Sequence, residues 1–198
     1  MGCHLVMAVR PFDEGKTRLS EVLTKAERIS LNYKFLYHSF LIAQKVFPPE
    51  RIVVVSRGEA QLKAARIAGA HALPEQGDGL NAALGQGARD AVARGATAIL
   101  SLSSDLPYLT ADDLSALLAD PAEIVIATDV ARRGTNALLQ RSPFAIPYGY
   151  GADSLTTHRT AAEAIGLTVS VIARPGLARD IDTPADLDEL RASHPEFF

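Results

Sequence analysis

Short runs of β-branched and aliphatic residues alternate along this chain with longer stretches whose apolar residues recur every three or four positions. The runs are HLVMAV (4–9), RIVVVS (51–56), AHALPE (70–75), TAILSLS (97–103), EIVIATD (123–129) and LTVSVIA (167–173). Near-continuous apolar runs separated by helical periodicity predict six strands of a mostly parallel sheet covered by helices, an α/β architecture. Three helix starts are marked. Thr24 with Glu27 forms a capping-box pattern ahead of a long helix through about Val46, Thr110 with Asp113 resembles another, and Thr183-Pro184 offers an N-cap followed by proline at the first helical position. No internal repeat, linker or low-complexity segment interrupts the alternation, so one domain over 1–198 is expected.

In an open parallel sheet, ligands collect beyond the carboxyl ends of the strands, and the residues there are unlike those a strand needs. The fourth run ends in SSDLPYLT (103–110), which places Asp105 just past a buried strand. By itself Asp105 could be a turn residue ahead of Pro107. After the first run comes RPFDEGKTRLS (10–20), where Arg10, Lys16 and Arg18 gather three cations around Gly15. A solvated basic turn would read the same way, and the loop has neither the Walker spacing nor G-x-G-x-x-G, which disfavours a P-loop or dinucleotide-binding domain. Near the C-terminus, DID (180–182) puts Asp180 and Asp182 on one face if extended, with Ile181 turned to the core. Asp182 and Thr183 could instead only cap the last helix.

Taken together, a cationic loop and three carboxylates at one sheet edge fit a magnesium ion bound by Asp105, Asp180 and Asp182. Hard oxygen ligands leave coordination positions for the phosphates of a nucleoside triphosphate. Lys16 and Arg18 would then offset charge on a departing pyrophosphate, with Asp105 a ligand and not a base.

Composition narrows the partners. Lys and Arg number 20 against 23 Asp and Glu, a formal net charge of -3, so no overall basic field exists for nucleic acid. One cysteine, Cys3, excludes an internal disulfide, and no zinc-type spacing occurs. The N-terminal apolar run is too short for a signal peptide or span, and Val6 stands where a myristoylation signal wants Ser or Thr. A reduced, cytoplasmic protein with no membrane partner is expected.

The motifs AVRPFDEGKTRL, GDGLNAAL, SSDLPYLT, ATDVARRGTNALL, YGADSLTTH and DIDTPADL occur in the order and at about the spacings of the CofC/FbiD guanylyltransferases of deazaflavin coenzyme biosynthesis, and the chain resembles that family over nearly its whole length. The resemblance implies a GT-A-like nucleotidyltransferase fold with a mixed sheet. It also implies transfer of GMP from GTP to the phosphate of a small phosphorylated acid (2-phospho-L-lactate, phosphoenolpyruvate or 3-phospho-D-glycerate). The product would pass to a downstream deazaflavin transferase. By the same resemblance Thr135, Gly151 and Ser154 hold the phosphorylated acid.

Those three fit anion chemistry, because glycine lets backbone N–H groups approach and Thr135 and Ser154 offer hydroxyl donors at the edges of a strand and a helix. Ser154 could also be a plain N-cap. His158, one turn later on the same face, either reaches the ligand or is a structural core histidine. Arg10 stands where relatives usually carry lysine, and Leu155 where many carry phenylalanine. Arg10, Lys16, Gly79 and Asn81 are the candidates for holding the nucleotide, the last two near its base or ribose. A cytidylyl- or sugar-nucleotide transferase on the same scaffold, or a non-catalytic nucleotide-binding module, are the alternatives.

Overall fold

The computed structural model describes residues 2–198. In chain order its elements are β1 (Cys3–Ala8), α1 (Lys25–Ala43), β2 (Ile52–Ser56), α2 (Glu59–Ile67), β3 (His71–Pro74), α3 (Leu80–Ala93), β4 (Ala98–Leu102), α4 (Ala111–Ala119), β5 (Ile124–Thr128), β6 (Thr135–Gln140), α5 (Ser154–Glu163), β7 (Val169–Ile172), α6 (Pro175–Ala178) and α7 (Pro184–Ser193). All six predicted strands are present. A seventh, β6, lies in TNALLQ and is fully buried. Its mixture of Thr, Asn and Gln with aliphatic residues carries neither alternation nor a β-branched run, so periodicity passed over it.

One sheet joins the seven strands in the order β3-β2-β1-β4-β6-β5-β7. β6 runs antiparallel to both β4 and β5, and every other pair is parallel. This is the mixed α/β sheet the resemblance implied. Strand order reverses between β1 and β4, the topological switch point at which such sheets open a crevice.

All three helix starts hold. Thr24, Thr110 and Thr183 each accept from the backbone three residues on, and Glu27, Asp113 and Asp186 reach back to the cap. α1 ends at Ala43, three residues before the predicted Val46, where the chain tightens into turns. One sheet face is covered by α1, α2, α4 and α6, with Leu36, Phe40, Ala65, Leu114 and Leu177 on Leu5, Met7, Ile52 and Val54. On the other face, α3 lies on Val6, Val53, Val55 and Ile99, and α5 on Ile124, Ile126 and Leu138. Gly87 of α3 sits so close to the strands that a Cβ there would fall 2.5 Å from Val6 Cγ1.

A third cluster fixes the site. Leu19 from the loop after β1, Leu31 and Phe35 of α1, Leu187 and Leu190 of α7, and Ile181 pack together. Ile181 is 1% exposed. Burying that one side chain aligns its two neighbours with the β1 loop.

Candidate functional site

At the β1/β4 switch point opens a cavity of about 380 Å³. Arg10, Gly15 and Lys16 reach it from the loop after β1, Ser103, Ser104 and Asp105 from the end of β4, Gly79 and Leu80 from the start of α3, and Asp180 and Asp182 from the loop before α7. The extended-pair expectation therefore holds in its geometry: both aspartates line the cavity while Ile181 is buried.

The β1 loop is held from below. Asn32 of α1 donates to the Phe12 carbonyl at 2.8 Å, and a Cβ at Gly15 would meet that same amide at 2.6 Å. Lys16 follows in the left-handed region with φ 55°, which costs a non-glycine residue energy and is tolerated where surroundings impose it. Its side chain there is held by two carboxylates. The Lys16 ammonium bonds Asp105 Oδ2 and lies 3.3 Å from Asp182 Oδ1, and the side chain is 5% exposed. Burial would push that ammonium down, yet Asp105 and Asp182 together outweigh it and hold Lys16 above the ordinary lysine value. Arg18, by contrast, is 76% exposed and reaches Asp182 Oδ2 at 2.9 Å.

Asp180 has no such partner. Burial, reinforced by the nearby Asp105 and Asp182 carboxylates, pushes it up to about 6. The cavity thus holds more negative charge than Lys16 neutralises. Opposite this acidic wall stand Arg10, which makes no ion pair among the described residues, and the N-terminus of α3. Gly79 precedes that helix with φ 86° and no side-chain cap, leaving first-turn N–H groups for an anion.

Asn81 has a structural role that the sequence did not announce. Its amide donates to the Tyr150 carbonyl at 3.0 Å and accepts from the Tyr150 N–H at 2.8 Å, so it clamps a wall residue of the cavity. Thr135, Gly151 and Ser154 are not among the residues lining this cavity; they lie behind Tyr150. Tyr150 packs edge-on against His158 at 5.0 Å, and His158 bonds Thr135. Thr135 and Ser154 are buried, Gly151 exposed. Thr135 begins β6, pairs with Thr128 across a bulge, and is followed by Asn136, whose carbonyl accepts from the Ser103 N–H at 2.8 Å. Start of β6 and end of β4 therefore meet. His158 is completely buried, the structural half of the two readings, and burial lowers it to about 4.

Sequence reasoning missed Arg57, Glu75 and Tyr150 as cavity residues. Arg57 and Glu75 follow β2 and β3 directly, and the same inspection of strand ends would have found both. Tyr150 offered only its place before Gly151.

The sequence profile described as "Guanylyl transferase CofC like" matches residues 3–194. Among curated relatives, a phosphoenolpyruvate guanylyltransferase of Rubrobacter xylanophilus is 41% identical, covering 98% of this chain and 95% of its own. One of the same name from Sphaerobacter thermophilus is 38% identical over 96% and 93%. A 3-phospho-D-glycerate guanylyltransferase of Colwellia psychrerythraea is 32% identical over 96% and 91%. Of solved structures, one described as a nucleotide-diphospho-sugar transferase from Desulfovibrio desulfuricans superposes with a TM-score of 0.78 at 19% identity, covering 96% of this chain and 87% of that one. A Mycobacterium tuberculosis protein solved as a manganese complex gives 0.56 at 18% identity, over 96% and 98%. At such identities these two speak for the fold.

Proposed function

Since the chain belongs to the family of CofC-like guanylyl transferases and is thereby a nucleotidyltransferase enzyme, we propose that it moves GMP from GTP to the phosphate of phosphoenolpyruvate, releasing pyrophosphate, in deazaflavin coenzyme biosynthesis. The acceptor follows the names of its relatives, with 3-phospho-D-glycerate and 2-phospho-L-lactate as the competitors. The product goes on to a deazaflavin transferase. A cytoplasmic setting agrees with a single buried cysteine and with the absence, among the described residues, of a helix long and apolar enough to cross a membrane.

The observation that carries the reading is the Lys16–Asp105–Asp182 cluster beside Asp180 at the mouth of the β1/β4 cavity. Magnesium fits these oxygens in part. A cationic ammonium already stands between two of them, and burial, with the Asp105 and Asp182 carboxylates beside it, holds Asp180 up. Among the described residues no three carboxylates, imidazoles or thiols stand together as a metal site as they are, so a metal ion at Asp105, Asp180 and Asp182 would require the Lys16 ammonium to swing aside and phosphate oxygens and water to complete the shell. When bound at Asp105, Asp180 and Asp182, it would neutralise phosphate charge and orient the triphosphate.

The chain's own residues do the rest. Arg10 and the α3 N-terminus attract the triphosphate, Gly79 admits it closely, and Lys16 gives its charge to the leaving group. An oxygen of the acceptor phosphate attacks the α-phosphorus in line as the bond to the β-phosphate oxygen breaks, and pyrophosphate leaves with that oxygen. No protein nucleophile takes part, and an acceptor phosphate already ionised near neutral pH needs no general base.

Pyrophosphate release tests this directly, with each of GTP, CTP, UTP and ATP against the three phospho-acids and a phosphosugar. GTP with phosphoenolpyruvate should be fastest. Turnover of CTP with the phosphosugar would establish the alternative transferase, and release from no pair would leave a binding module.

A further inference from the structure

His158 is fully enclosed, and both of its ring nitrogens are engaged. The Gly149 N–H donates to Nε2 at 2.9 Å, and Nδ1 lies 3.1 Å from Thr135 Oγ1. A backbone amide can only donate, so Nε2 must present its lone pair. The neutral ring then carries its single hydrogen on Nδ1 and donates it to Thr135. Protonating the ring would set Nε2–H against the Gly149 N–H, so the ring is kept neutral.

This settles what Thr135 can do. Its oxygen accepts from His158, and its own hydrogen has no acceptor within the chain among the described residues. The Ser154 hydroxyl, one helical turn before His158, likewise makes no hydrogen bond. Neighbours hold the imidazole in place: Tyr150 packs edge-on at 5.0 Å, and its phenol lies 2.7 Å from Ser101 Oγ. The Tyr150 backbone is in turn clamped by Asn81.

We infer that His158 is the positioning residue of the acceptor site, its fixed tautomer turning the Thr135 hydroxyl into a dedicated donor that selects an anionic carboxylate or phosphate oxygen over a neutral hydroxyl. The inference rests on reading Thr135, Gly151 and Ser154 as the site of the phosphorylated acid. His158 touches no substrate and acts through Thr135.

Two variants separate positioning from support. In His158→Asn the amide NH₂ occupies the place of Nδ1 and still donates to Thr135, whereas His158→Gln retains an acceptor for Gly149 and loses that donor. His158→Gln should raise KM for phosphoenolpyruvate about tenfold, with KM for GTP unchanged. His158→Asn should stay within about threefold of the parent for both. Nitrogen-15 NMR of the parent imidazole should show the Nδ1–H tautomer without any substrate, a readout that needs no variant to fold. An Nε2–H tautomer overturns the inference, as do Asn and Gln variants that lose acid affinity equally and in step with melting temperature. Thr135→Val tests the underlying reading. If it leaves KM for the acid unchanged, the acid-site assignment itself fails; if it raises KM while His158→Gln does not, only the role of His158 fails.

Discussion

The cavity at the β1/β4 switch point and the pocket of residues behind Tyr150 are built on opposite electrostatic plans. In the first, Lys16, Asp105 and Asp182 come from loops and are held by one another, with Asp180 beside them. In the second, Thr135, Ser154 and His158 are neutral, sit on β6 and α5, and are held by packing and by a backbone N–H. Charges on loops can exchange partners, so on the proposed reading the first region would take a triphosphate by redistributing its ion pairs. Neutral donors on regular elements shift less, so on the same reading the second would bind by what they already present. A site that handles variable charge is best assembled from charges, and one that must distinguish small acids from fixed directional donors.

The largest expected effect breaks the charged half. Lys16→Met leaves Asp105 and Asp182 without their counter-ion and removes a charge needed at the leaving group, so turnover should fall about 100-fold or more. Asp105→Asn and Asp182→Asn should fall as far, with circular dichroism unchanged, because each removes charge and no core volume. Near-parent rates at saturating magnesium would remove these residues from the metal site.

The neutral half should respond more gently and more selectively. Thr135→Ala or Ser154→Ala should raise KM for the acid about tenfold, since a hydrogen bond to a charged group contributes about 1.5 to 3 kcal/mol. KM for GTP should hold in both, and the melting temperature should hold for Ser154→Ala but fall for Thr135→Ala, which leaves the buried His158 Nδ1–H without its acceptor at a cost of about 1 to 3 kcal/mol. Loss of GTP affinity instead would place both residues in the nucleotide pocket.

Acid titration sets the two halves against each other. The folded-state value of His158, about 4, lies below its ordinary 6.5, so the unfolded chain takes up this proton first. Stability from that ring is complete above pH 6.5 and is lost as pH falls towards 4, by on the order of 3 kcal/mol at most. Asp180 does the reverse. Raised from 3.8 to about 6, it holds a proton the unfolded chain has released, and stability is lost as pH rises through that range, by on the order of 1 to 2 kcal/mol after allowance for partial exposure. Urea midpoints between pH 4 and 7 in chelator should therefore show a steeper acid loss in Asp180→Asn than in the parent, and a shallower one in His158→Asn. Parallel profiles would refute both environments.

The smallest effect belongs to Arg18→Ala. With its partner reached across solvent at 76% exposure, stability should change by less than about 1 kcal/mol and turnover only a few-fold, a difference that added salt should erase.

What the sequence made legible follows the same divide. Lys16, Asp105, Asp180 and Asp182 were visible because three separate charged segments all fall beyond the ends of buried strands, and Ile181 between two aspartates announced which way they face. The strands that position them were visible because parallel strands read as continuous apolar runs. β6 was not, since a strand beginning Thr-Asn breaks that rule, and the pairing of Gly149 with His158 depends on two elements meeting in space. Thr135, Gly151 and Ser154 were reached through family resemblance, and the Asn81 clamp on Tyr150 went unseen, as that partner lies far along the chain.

The reversal of β6 has a bearing on how such proteins diversify. A parallel strand brings its last residue to the rim and must then descend into a helix. β6 brings its first, supplied by a brief hairpin of residues 129–134 that turns the chain round and is tied to its surroundings by the Val130 N–H on the Ala178 carbonyl and the Leu155 N–H on the Arg133 carbonyl. Exchanges of the hairpin's side chains would alter what surrounds Thr135 while leaving the β4–β6 register in place. In a lineage whose members carry names for different acids, that hairpin is where new preferences can arise at the least risk to the reaction they share.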